Sequence, residues 1–111
     1  MMNENEFYDA YESTLEALQE YIEDNGLAVD YEESNGVLTL ELDNESVLII
    51  SRQPPVRQLW LAAKAGGFHF DYDAERSGWV LDDGSGQTLS DALSLYATEQ
   101  AGESISFGDA F

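Results

Sequence analysis

Between Asp24 and Thr88 the chain passes through six short stretches of apolar–polar alternation, and no link between neighbours can hold a crossover helix. They are Ala28–Glu33, Val37–Leu42, Val47–Ser51, Arg57–Ala63, Gly67–Asp73 and Gly78–Asp82. Parallel neighbours need a dozen or more connecting residues, so these strands form an antiparallel sheet. Asn35-Gly36 between two alternating runs is a hairpin signal. Pro54 and Pro55 cannot donate to a ladder and break it. Alternation assigns faces: Leu38, Leu40 and Leu42 point one way, Thr39 and Glu41 the other. The run Val47–Ser51 reads as covered on both sides. Leu59 and Leu61 belong to the core, with Gln58, Trp60 and Ala62 opposite them. Trp79 alternates with Leu81 and reads as core. His69, between Phe68 and Phe70, faces the other side with Asp71.

A helix is expected at each end. From about Glu4 to Asp24, Phe7, Tyr11, Leu15, Leu18 and Ile22 recur at helical spacing as one apolar stripe. Asp9, Glu12, Glu16, Glu20 and Glu23 draw an acidic stripe about 140° round from it. Asp24-Asn25-Gly26 ends this helix. The second helix runs from about Leu89 to Ala101, with Thr88 as N-cap and Asp91 three residues on. Leu89, Ala92, Leu93, Tyr96 and Ala97 give its buried face, Gly102 stops it, and Ile105 and Phe107 of the tail pack back. The fold class is α+β: one domain, residues 1–111, as a two-layer sandwich. The two terminal helices lie on one face of an antiparallel sheet of about six strands. The other face meets water, which leaves Trp60 exposed there.

Charge bounds the partners. The formal net charge is −19, and the residues from Met1 to Val47 hold 14 Asp and Glu with no Lys or Arg. Three of the four cations, Arg52, Arg57 and Lys64, fall in SRQPPVRQLWLAAKAGG beside Trp60; Arg76 follows. Such a chain disfavours nucleic acid and anionic membranes and favours cations or a basic protein surface. Hydrophobic residues at 43% and aromatics at 12% supply a core. The absence of cysteine excludes disulfides, thiolate metal sites and Cys nucleophiles. No apolar run reaches the roughly 20 residues of a membrane span. The acidic start, MMNENEFYDA, has the pattern of neither a signal nor a transit peptide, so the expected location is the cytoplasm of a bacterium-like cell.

No catalytic constellation assembles. No Ser has a nearby His, and no Gly-rich loop opens a helix in the phosphate-binding manner. The paired carboxylates stand on a solvated stripe with no burial to separate their pKa values. Carboxylates at i, i+4 repel, at roughly 0.2–0.5 kcal/mol per pair. A helix that tolerates this along its length has a use for it. Hard oxygen ligands suit Ca²⁺, Mg²⁺, Mn²⁺ and iron, but exposed monodentate groups close no cage, so binding is weak and multi-site. His69 beside Asp71 is a lone imidazole, more often an ordinary exposed side chain than a ligand. Trp60, next to Gln58 and Arg57, is a contact residue of the kind enriched in binding hot spots, or else folds down on its neighbours. One rival function stands beside a binding protein: an acidic nucleic-acid mimic that blocks a basic cleft.

The segment GVLTLEL…VLIISRQPPVRQLWLAAKAGGFHFDYD…GWVLDDGSGQTLSDALS resembles the frataxin family in its short bacterial form, the CyaY type. The acidic first helix and QAGESISF also fit. The resemblance implies a helix–antiparallel sheet–helix fold and a non-enzymatic role in iron–sulfur cluster assembly. It implies binding of iron (Fe²⁺ and Fe³⁺) by surface carboxylates, which on ligand type is weak and multi-site, and regulation of a cysteine desulfurase, donation of iron, or both. Its mineralising members imply a ferroxidase or iron-storage activity as the alternative. The ridge it implies is Glu12, Glu16, Glu20, Glu23 and Asp24 on the helix, with Asp30 and Glu32 on the first strand. Gln19 stands where the family is usually acidic, and the Asn25–Ala28 loop is shorter and less acidic than in relatives. The open sheet, with Trp60, Gln58, Arg57 and Arg52, is the expected surface for a second protein or the cluster scaffold. The protein is expected to be a monomer, with iron-induced oligomers as a further state.

Overall fold

The first helix, α1, spans Glu4–Asp24 and starts at a capping box. The Asn3 side chain accepts from the Glu6 amide at 2.8 Å, and the Glu6 carboxylate accepts from the Asn3 amide at 2.9 Å. Two of the amides a helix start leaves unbonded are thereby satisfied. The expected stripe Phe7, Tyr11, Leu15, Leu18 and Ile22 is buried. At the other end α2, Leu89–Ala101, opens on the Thr88–Asp91 capping box and stops at Gly102 in a left-handed conformation. Its buried face takes in Ser90 as well, while Tyr96 is half-buried and stacks on Phe68 with ring centres 4.6 Å apart.

Between them lie β1 (Val29–Ser34), β2 (Val37–Leu42), β3 (Val47–Gln53), a 3₁₀ turn (Pro54–Val56), β4 (Gln58–Ala63), β5 (Gly66–Asp73) and β6 (Gly78–Leu81). The computed structural model describes residues 2–109 and 111. The strands follow one another across the sheet in chain order, each antiparallel to the next. Registers such as Leu38–Ile50, Ile50–Leu61 and Leu61–Phe68 line up one apolar row under the helices. Trp79, on the edge strand β6, is fully buried in that layer, edge-on to Phe7 and Tyr72. Its indole N–H donates to Thr14 Oγ1 at 2.9 Å, so a buried donor is not left without a partner.

Three expectations change. β3 is covered on one face only: Leu48 and Ile50 are buried, whereas Val47 is exposed and Ile49 partly so. Arg57 is outside β4, in the turn after Pro54–Val56, with a left-handed backbone (φ 53°). Arg52 is not on the open face. It continues the Leu48–Ile50 row, pairs with Leu59 across the ladder, and points to the helix layer. Its guanidinium lies 4.9 Å over the Tyr8 ring and against Gly36, where a Cβ would stand 2.8 Å from Arg52 Cζ. Gly36, at φ 78°, makes both the hairpin turn and this close approach possible. In the tail, Ile105 and Phe107 are buried as expected, and so is Phe111.

Candidate functional site

Glu12, Glu16, Glu20, Glu23 and Asp24 are all exposed along the outer side of α1. The sheet edge beside them divides the ridge. In β1, Val29, Tyr31 and Glu33 pair with Leu42, Leu40 and Leu38 and so share the helix side of the sheet. Asp30 and Glu32 pair with Glu41 and Thr39 on the open side. The expected ridge therefore wraps around an edge strand, and its two strand members face away from its five helix members.

Glu33 and Tyr31, not singled out from the sequence, join the two parts. Gln19 Nε2 donates to Glu33 Oε1 at 2.7 Å, and Tyr31 Oη donates to Glu23 Oε1 at 2.8 Å. The bond to Glu23 is the main reason that the Tyr31 phenol is held above its ordinary pKa. Gln19 also acquires a physical reason here: a carboxylate at that position could not donate to Glu33. The strand periodicity Val29–Tyr31–Glu33 carried the signal for these residues. Among the described residues no three of His, Cys, Asp and Glu converge on a point that could hold a metal ion. The ridge thus offers carboxylates singly or in pairs.

The open face carries a second constellation. Trp60 is opposite Ser51 on one side and His69 on the other; Gln58 is opposite Asp71, which is opposite Val80. The Trp60 and His69 rings lie nearly parallel, centres 4.2 Å apart and planes 14° apart. Trp60 is therefore on the expected face but half-buried, lying on the imidazole rather than standing free. Its N–H donates to Gln58 Oε1 at 3.0 Å. Gln58 Nε2 in turn donates to Asp71 Oδ1 and Asp82 Oδ2, each at 3.2 Å. His69 Nδ1 is 3.9 Å from Asp82 Oδ2. These contacts occupy the polar groups of Trp60 and Gln58 internally, so the surface they present is the indole ring, rimmed by Asp71 and Asp82. His69 and Asp82 become partners of Trp60 only through strand register and a turn, which sequence periodicity does not supply. Arg57 stands aside from this cluster, its Nη1 bonded to the Pro54 carbonyl.

The family model described as "Frataxin-like domain" matches residues 1–103. The iron-sulfur cluster assembly protein CyaY of Pseudomonas syringae pv. tomato is 46% identical over 108 residues, covering 97% of each chain. That of Pseudomonas aeruginosa is 46% identical over 106 residues, covering 96% of this chain and 97% of its own. Among solved structures, frataxin from Psychromonas ingrahamii superposes with a TM-score of 0.85 at 36% identity, over 96% of this chain and 99% of that one. Yeast frataxin gives 0.58 at 32% identity, over 86% and 76%.

Proposed function

The chain belongs to the frataxin-like family, and on that footing we propose that it serves iron–sulfur cluster assembly as an iron-binding protein rather than an enzyme. The role is the one for which its bacterial relatives are named. One observation carries the finer reading: the outer side of α1 presents Glu12, Glu16, Glu20, Glu23 and Asp24 to solvent with no cation among them. Iron is cargo here, held by hard carboxylate oxygens in single or paired contacts, weakly and at several positions. The same surface attracts a basic partner, and a cysteine desulfurase is the partner the family resemblance implies. Regulation of that enzyme and donation of iron both use this one surface. The Trp60 platform is the contact for a second protein, the cluster scaffold.

Titration with Fe²⁺, or with Co²⁺ or Mn²⁺ as surrogates, tests this by NMR. Signals of Glu16, Glu20 and Glu23 should broaden progressively over several equivalents, with those of Asp30 following separately because it faces the other side. One stoichiometric site of nanomolar affinity, or an undisturbed α1, would overturn the reading. Glu20→Lys with Glu23→Lys should also weaken binding to purified desulfurase, more at low salt than at high, where screening has already removed much of the attraction.

A further inference from the structure

The two edges of the sheet are finished differently. The chain itself seals β6. The Trp79 amide donates to the Phe111 carbonyl at 3.3 Å, the Leu81 amide to the Gln87 carbonyl at 2.8 Å, and Val80 bridges Thr88. β1, at the opposite edge, pairs with β2 and nothing else. Among the described residues no loop, turn or terminus sends a backbone hydrogen bond to Val29–Ser34. Alternate residues of an antiparallel strand aim their N–H and C=O away from the partner strand, so β1 keeps an unpaired row. Such a row is a template for another strand unless it is blunted.

The way it is blunted is selective. β1 contains no Pro, Gly or Lys. Its protection is negative charge: Asp30 and Glu32 toward the open side and Glu33 toward α1, all exposed. A second copy pairing through its own β1 would set carboxylate against carboxylate, which is unfavourable in directly opposed cross-strand positions. A strand with Lys or Arg at alternate positions meets the same carboxylates as partners. The edge is closed to its own kind and open to the opposite charge.

We propose that β1 is a docking edge onto which a basic, extended segment of a protein partner adds as a further antiparallel strand. Main-chain hydrogen bonds to β1 hold it, and its cations face Asp30 and Glu32. The inference deepens the proposed function and rests on its premise that the acidic side meets a basic partner; it adds the secondary structure of the contact.

The test uses a capped nine-residue peptide of alternating Lys and Val, and two versions methylated on the backbone nitrogens of one alternate set or the other. Methylation leaves charge unchanged and removes strand pairing on one edge. The parent peptide should bind the full chain and slow hydrogen exchange at the outward amides of β1. One methylated version should lose at least about tenfold in affinity, from the loss of several hydrogen bonds, and the other should bind like the parent. Asp30→Lys with Glu32→Lys should weaken the parent peptide far more than Glu16→Lys does. Equal binding of all three peptides, protection confined to α1, or no binding of the parent would each overturn the edge proposal. If desulfurase still binds in that case, the proposed function survives it. If neither desulfurase nor iron binds, the premise itself fails.

Discussion

Trp60 and Trp79 are a matched pair at the residue scale, one on each side of the sheet. Trp79 is fully buried against Phe7 and Tyr72, with its N–H satisfied by Thr14. Trp79→Ala should cost about 3–5 kcal/mol. Trp60 gives up a ring stack on His69 and one hydrogen bond, so Trp60→Ala should cost only about 1 kcal/mol. Urea melts of the two variants would decide whether the faces are assigned correctly, and equal losses would contradict them. Tyr11 sets a pH limit. Its hydroxyl donates to the Gly36 carbonyl at 2.5 Å inside the core. Burial raises its pKa, an effect only partly countered by Arg52. A phenol pKa raised in the folded state stabilises fully below the unfolded value of about 10. That stability is lost as pH climbs above 10 toward the folded value. Tyr11→Phe should therefore flatten the alkaline limb of a stability-against-pH curve, and an unchanged slope above pH 10 would refute the assignment.

At the scale of elements, the helix stripes, the hairpin at Asn35-Gly36 and the caps of α2 could be read from the sequence, because each rests on local spacing. Arg52 belongs on the covered side rather than the open one, and Asp30 and Glu32, which the family resemblance assigns to the ridge, lie on the open side of β1; parity alone places all three. Leu48–Ile50–Arg52 and Val29–Tyr31–Glu33 are simple alternations that name the covered side. The Trp60–His69–Asp82 grouping was out of reach, since it depends on the register of β4 on β5 and on the turn after β6. The seal on β6 was equally hidden. It depends on the Phe111 amide donating to Ser90 Oγ, 21 positions away, at 2.8 Å, while the ring packs edge-on to Tyr21. Phe111→Ala should cost about 3 kcal/mol, in the range for a buried aromatic. It should also speed hydrogen exchange at the Trp79 amide more than at β3. Exchange that accelerates evenly across the sheet would mean that Phe111 supports the core without guarding that edge.

For the whole molecule, a net charge of −19 on 111 residues opposes compaction. The like charges along α1 add local repulsion. Raising NaCl, or adding millimolar Mg²⁺ or Mn²⁺, should raise the melting temperature, since screening removes the repulsion and ions that bind only the folded form stabilise it by mass action. A melting temperature indifferent to both would show that the ridge is too well hydrated to matter. The packing of α1 has one more consequence, and it concerns synthesis. Thr14 meets Trp79 across 65 positions of sequence, and Tyr21 lies against Phe107 and Phe111, ring centres 6.4 and 6.0 Å away. The helix made early on the ribosome is thus completed by residues made much later. Until they emerge, the Phe7–Ile22 stripe is incompletely covered, and the carboxylates beside it repel neighbouring nascent chains. The charge that weakens the finished fold keeps the unfinished chain soluble.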